Sequence, residues 1–227
     1  MSHKSQSLQE LQQIRQLMER SSRFISLSGL SGIAAGTCAL VGAGLAMPYL
    51  QPGAGRANAA GSVQSRNGYD LSAWQADNLW VGILHSKLFH IAVGTFLAAF
   101  VSAFLFTWLK SRRQGIPIWG PASFRLMVNV SIPMLVGGIF CIKLLQTQNF
   151  DLLAPTTLIF YGLALLNASK YTFPEIRYLG MAMMLLGIAN CWIIGQGIYL
   201  WATGFGLLHI VYGAYMWFAY EQKEAQA

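Results

Sequence analysis

Charge is scarce in this chain. Asp, Glu, Lys and Arg together make up 10% of its 227 residues, against roughly 25% in soluble domains. Acids are the scarcest. There are eight, Glu10, Glu19, Asp70, Asp77, Asp151, Glu175, Glu221 and Glu224, and all fall in loops, tails or at the ends of apolar runs. That removes carboxylate acid–base chemistry and most metal-assisted hydrolysis from the apolar interior. It also counts against a proton- or sodium-coupled carrier, a class that keeps a carboxylate at membrane depth. Cysteine is rarer still: Cys38, Cys141 and Cys191 each lie inside an apolar run, with no CxxC spacing. Neither a disulfide framework nor a metal site is expected, and the three read as small core residues. No internal repeat is visible, so the inverted-repeat signature of many transporters is missing.

What the chain has in quantity is hydrophobicity. Apolar residues make up 55% of it, and the mean hydropathy is +0.46. A soluble protein of this size has too little interior to hide that surface, so lipid is the expected solvent. The net charge of +7 comes from cations placed at the ends of apolar runs. That is the pattern of membrane orientation signals and not of a phosphate-tracking groove, so no nucleic-acid partner is expected.

The expected fold is all-α: an integral membrane six-helix bundle. One membrane domain covers 24–227, with spans at about 24–50, 88–109, 126–142, 152–168, 178–194 and 198–220. The stretch Asp151 to Gly180 shows the pattern best. An apolar run ends in a short polar corner, and Thr172-Phe173-Pro174-Glu175 reads as a capping box with proline in the first turn of the next helix. Pro133, inside the third span, is expected to kink it and free a carbonyl. Residues 1–23 lack the apolar core of a signal peptide. Ser7-Leu8-Gln9-Glu10 is a capping box, and Leu8, Leu11, Ile14 and Met18 recur at helical spacing, which predicts an amphipathic helix. That helix suits an interfacial position, a protein partner, or the chain's own bundle. The connection 51–78, rich in Gly, Ala, Ser and Asn, is expected to be an outer loop ending on a short interfacial segment.

Cations orient the bundle. With the N-terminus inside, the cytoplasmic side collects Lys4, Arg15, Arg20, Arg23, Lys110, Arg112, Arg113, Arg125, Lys170, Arg177 and Lys223, and the outer side Arg56, Arg66, Lys87 and Lys143. The excess puts both termini in the cytoplasm. Trp108, Trp119 and Trp217 fall near inner ends, and Trp74, Trp80 and Trp201 near outer ends.

Few polar groups lie deep, and these are the candidates for a ligand or a path. His209 is mid-span, with Gly206 and Gly213 on its face and Tyr212 one turn on. It suits a proton relay, an axial ligand, or a hydrogen bond to a neighbouring helix. Asn129 and Asn190 read as interhelical hydrogen-bonding groups or path-lining residues, with Tyr161 and Tyr215 able to join them. His85 and His90 are five apart and point to different helix faces, so joint chelation is disfavoured. His90 is nearer the outer surface than His209, so no bis-histidine haem, and no other cofactor, is expected. The inner corner gathers Asn167, Lys170, Glu175 and Arg177, which suit a lipid head group, an anionic solute, or a turn that satisfies itself. Ser28, Gly32 and Gly36 follow a small-xxx-small spacing. With Gly206 and Gly213 they are expected to pack helices closely, within the bundle or against a second protein.

Three stretches, MERSSRFISLSGLSGIAAG (Met18 to Gly36), APTTLIFYGLALLNASKYTFPEIRYLG (Ala154 to Gly180) and GFGLLHIVYGAYMWFAYE (Gly204 to Glu221), carry a resemblance. They resemble a family of multi-pass membrane proteins from Bacteroidetes-type bacteria. The resemblance implies a bacterial cytoplasmic (inner) membrane location and supplies no activity. Members of that family often carry an acid in the fifth span, where this chain has Met183. That departure weakens any proton-coupled role carried over from it.

The function expected from the residues is a non-enzymatic one. It is an accessory component that binds membrane lipid or another apolar ligand, or a protein partner through the N-terminal helix or the small-residue faces. The alternatives are a small-solute or ion transporter with a path along Asn129, Asn190 and His209, and an intramembrane enzyme on an apolar substrate with His90 and His209 as its tools.

Overall fold

The computed structural model describes residues 28–50, 79–115, 119–193 and 195–222. The expected amphipathic helix over 1–23, the start of the first span and the loop 51–78 lie outside the described residues. Within them every regular element is helical and none is a strand. In chain order the elements are α1 (Gly29–Leu50), the short α2 (Leu79–His85), α3 (Lys87–Gln114), α4 (Pro121–Gln146), α5 (Leu153–Ala168, entered through a 3-10 turn at Phe150–Leu152), α6 (Ile176–Trp192) and α7 (Gly197–Glu221).

Five of these are long and apolar enough to cross a membrane: α1, α3, α4, Phe150–Ala168 and α7. The run expected as a fifth span at 178–194 forms α6, an apolar helix of 17 residues. It begins two residues earlier than expected. The capping box expected at Thr172 and Glu175 does not set that start. Glu175 is itself the residue before the helix, and no side-chain hydrogen bond caps it. Its carboxylate accepts the Tyr220 hydroxyl at 2.7 Å instead, so a tertiary contact has taken the group that local pattern assigned to the turn.

Local chemistry explains the other boundaries. Helix α3 runs past Leu109 to Gln114 and stops at Gly115. That glycine adopts a left-handed φ of 66° and donates its amide to the Ser111 carbonyl. Helix α4 starts with Pro121 in its first turn, where a missing N–H costs nothing. It continues through Pro133 as one helix, with Pro133 buried, so the expected kink does not divide the element. Gly195, at φ 83°, turns the chain between α6 and α7.

Successive helices alternate in direction. Gly29, Lys110, Phe173 and Glu221 meet at one end of the bundle. Tyr49 with Lys87, and Ala154 with Gly197, meet at the other. Helix α7 is central, packing against α1 on one side and against α5 and α6 on the other. Helix α3 lies outside α1, and α4 lies outside α5. Consecutive in sequence, α3 and α4 share no extended interface.

Backbone proximity holds the centre together. A Cβ on Gly213 would lie 2.6 Å from the Gly29 carbonyl oxygen and 2.7 Å from the Ile33 amide nitrogen. One on Gly36 would lie 2.7 Å from the Gly206 oxygen, and one on Gly32 3.1 Å from Gly213 Cα. Here only glycine allows the helix axes to come so close, and close approach is what drives association where lipid removes the hydrophobic contrast. The small residues singled out in the sequence therefore face each other within the chain, across α1 and α7. A second such seam, Gly162 against Gly180, joins α5 to α6.

Candidate functional site

His209 is a buried polar group midway along α7, and helix geometry places it. Residues Ala202–Leu208 form a π-helical segment of α7. The wider turn leaves the Gly204 carbonyl within 2.9 Å of His209 Nδ1, while the His209 amide bonds to the Gly206 oxygen. π-helical turns of this kind recur at functional sites. On its other side the ring meets α5: Nε2 lies 3.0 Å from the Tyr161 hydroxyl. A carbonyl only accepts, so Nδ1 carries the proton and Nε2 accepts from Tyr161 O–H. His209 is thus held as the neutral Nδ1–H tautomer, buried at 7% exposure. Phe205 stacks on the imidazole with centroids 5.9 Å apart, and Tyr161 and Trp201 pack on Phe205 at 4.9 and 4.8 Å.

This arrangement limits the chemistry. A relay through the ring would have to pass its proton from Nδ1 to a backbone carbonyl, which is no proton carrier. An axial metal bond would need a free ring nitrogen, and both are engaged. What the pair does is fix α7 to α5. Such bonds are worth about 0.6 kcal/mol on average inside a membrane.

The other candidates disperse. Asn190 is buried at 4% exposure on α6, and its Nδ2 has no partner among the described residues. Tyr212 is half-buried between the two apolar clusters, and its hydroxyl likewise has none. Asn129 does not reach across to another helix. It donates to the Arg125 carbonyl of its own helix at 2.8 Å. His90 is exposed in the first turn of α3, with Nδ1 2.9 Å from the Ser86 carbonyl, and is not brought to His209. His85 is also exposed. Tyr215 is 54% exposed and outside the network expected of it. Among the described residues no three His, Cys, Asp or Glu side chains cluster as metal ligands.

The inner corner also separates. Lys170 and Arg177 are exposed, Arg177 lying over the Tyr178 ring at 5.0 Å. Asn167 is half-buried, and its carbonyl receives the Lys170 amide at 3.3 Å. Only Glu175 turns inward, to Tyr220, and its Oε2 is buried without a partner among the described residues.

The polar centre that sequence reading missed is Glu221, which the pattern put in a charged tail. It lies in the last turn of α7, where residues 217–221 are again π-helical. Oε1 accepts the Gly29 amide at 2.6 Å and the Lys110 ammonium at 3.2 Å, and Oε2 accepts the Ser28 hydroxyl at 3.4 Å. An anion at the first amide of α1, which has no partner within the helix, complements that helix's positive end. Lys110 also lies 6.0 Å from the Phe173 ring, which packs at a tilt against Tyr220. One carboxylate thus ties together α1, α3 and α7 at the end where Glu175 and the α5–α6 corner also sit. No local signal marks it, because its partners are separated from it by 111 to 193 residues.

The apolar surface is distributed just as unevenly. On α3 only Thr107 and Ser111 are buried. Phe96 and Phe100 stack on each other at 6.2 Å on its exposed side. On α4 the buried residues are Pro133, Gly137 and Leu144, while Ile132, Leu135 and Ile139 are exposed. No protein-family model, no curated protein and no solved structure matches the chain.

Proposed function

We propose that the protein is a non-enzymatic component of a bacterial cytoplasmic membrane that holds an apolar occupant, a bilayer lipid or a partner's membrane helix, against α3 and α4. In this reading all six apolar helices lie in the bilayer. The observation that carries it is the separation of α3 and α4. Each is held by a single long neighbour, α1 or α5, and each leaves most of its apolar surface without a partner among the described residues. The Glu221 end faces the cytoplasm, because Lys110, Arg112, Arg113, Arg125, Lys170 and Arg177 lie there and only Lys87 and Lys143 lie at the other among the described residues. The dispersal of the deep polar groups supports a binding role over a transport path, and the engaged nitrogens of His209 support it over catalysis.

Native mass spectrometry of the full chain released from gentle detergent tests this. The expected result is a stoichiometric apolar adduct or partner. A bare chain under conditions that preserve other lipid complexes would overturn it. Substrate flux in proteoliposomes that is abolished by Tyr161→Phe would instead establish transport through the α5–α7 seam.

A further inference from the structure

The end of α3 and the start of α4 carry cations without neighbouring acids in the sequence. From Lys110 to Arg125 the sequence holds four cations and no acid. Lys110 is spent on Glu221 at 3.2 Å. Arg112, Arg113 and Arg125 are exposed, and none has an acidic partner among the described residues. Arg112 is held over the Trp108 ring, its guanidinium carbon 5.3 Å from the centroid. Trp119 and Phe124 are 74% and 63% exposed at the same corner, the amphipathic and apolar side chains that settle at a head-group boundary.

The two helices also converge here. Lys110 of α3 reaches Phe173, and Leu126 and Val130 of α4 pack on the cluster that contains Phe173. The arginine-bearing turns of α3 and α4 therefore lie at the same end of the bundle. Farther along, α3 follows α1, with Thr95 filling the notch at Gly42, and α4 follows α5, with Phe160 filling that at Gly137. Each presents an apolar face that no described residue covers. The chemistry is that of an anionic amphiphile: negative charge at the arginines, hydrocarbon along the helices.

We infer that an anionic phospholipid of the leaflet at the Glu221 end occupies this corner. Its phosphate lies on Arg112, Arg113 and Arg125, and its acyl chains lie along α3 and α4. This rests on the reading that α3 and α4 hold an apolar occupant and adds its class, its charge and its leaflet. Charge carries the contact: each exposed arginine is a permanent cation, and an ammonium in its place keeps that charge. Surface cations at a membrane each contribute to the attraction of anionic lipid, and three together should produce a preference of at least about threefold.

The test is spin-label electron paramagnetic resonance of the full chain in phosphatidylcholine bilayers, with chain-labelled phosphatidylglycerol and phosphatidylcholine compared as probes. The expected result is a motionally restricted population favouring phosphatidylglycerol by threefold or more. The preference should fall to parity in R112Q/R113Q/R125Q, and persist in R112K/R113K/R125K and in Lys143→Gln at the opposite end. Equal restriction of both lipids, or a preference unchanged in the glutamine triple, would overturn the inference while leaving an uncharged apolar occupant in place. Loss of the preference in the lysine triple would overturn it too, since charge would then not be its cause. Displacement of the restricted phosphatidylglycerol by water-soluble glycerol phosphate would show a free-anion site and overturn the lipid assignment. Absence of any restricted population would remove the underlying reading along with it.

Discussion

Glu221 and Gly29 lie 192 residues apart, and a 2.6 Å hydrogen bond from the Gly29 amide to the Glu221 carboxylate joins the last turn of the bundle to the first. Lys110 completes the contact, with side-chain exposures of 12% for Lys110 and 15% for Glu221. Glu221→Ala removes this carboxylate from Lys110 and from the first amide of α1. The expected cost is about 3 kcal/mol, the low end for breaking a buried pair because both groups keep some exposure. In the double variant K110M/E221Q neither charge is left alone, and part of that loss should return. Thermal unfolding in detergent measures both. Equal loss in the single and double variants would contradict the pairing.

At Gly213 the α1 backbone leaves no room for a side chain, so Gly213→Val should push α1 from α7 and cost about 1–3 kcal/mol. Gly138 has nothing within 4 Å of its would-be Cβ. Gly138→Ala should be neutral, or stabilise by up to about 1 kcal/mol through helix propensity. Melting temperatures that ranked the two variants in the reverse order would contradict the seam.

Removing the Tyr161 hydroxyl isolates His209 Nε2. Tyr161→Phe is expected to cost about 0.6 kcal/mol, and no more than about 1.7. Nitrogen-15 shifts of the imidazole in the native chain should show a protonated Nδ1 and a hydrogen-bonded, unprotonated Nε2, with the Nε2 shift moving in the variant. A protonated Nε2 in the native chain would contradict the assigned tautomer.

Much of the fold was legible because charge is rare. Cations and turn residues punctuate the apolar runs, so the runs can be read as helices, five of them long and apolar enough to cross a membrane, although α3 ends at Gln114 and not 109, and α4 begins at Pro121 and not 126. Gly115, Pro121 and Gly195 mark turns by the same local chemistry. The small residues at 32, 36, 206 and 213 predicted a close seam because a missing side chain is itself a packing signal. Local pattern failed where a distant group competed for the same atom. Glu175 was assigned to a capping box and instead bonds Tyr220, and Glu221 was assigned to a tail and instead caps α1. The π-helical turn that aims His209 at Gly204 has no marker beyond two glycines in an apolar run. The separation of α3 from α4 depends on which neighbour each prefers, and their hydrophobic pattern, apolar nearly all round, leaves that open.

The orientation has its own check. In a chain with its three cysteines replaced, Gly120→Cys and Asn149→Cys put single thiols at exposed positions at opposite ends. A membrane-impermeant maleimide added to intact cells should label Asn149→Cys and spare Gly120→Cys. Labelling of Gly120→Cys would invert the topology, and with it the leaflet assigned to the arginine corner.

Among the described residues α3 and α4 leave their apolar faces unpaired, and in the proposed reading those faces meet something apolar outside the chain. A photo-reactive benzoylphenylalanine at Phe100, which is 61% exposed in the middle of α3, tests it most directly. Irradiation in native membranes, followed by mass spectrometry of the adducts, should yield lipid or a second polypeptide at that position. Crosslinks from Phe100 to residues 121–146 of the same chain would mean that the two helices pack on each other, and would contradict the account.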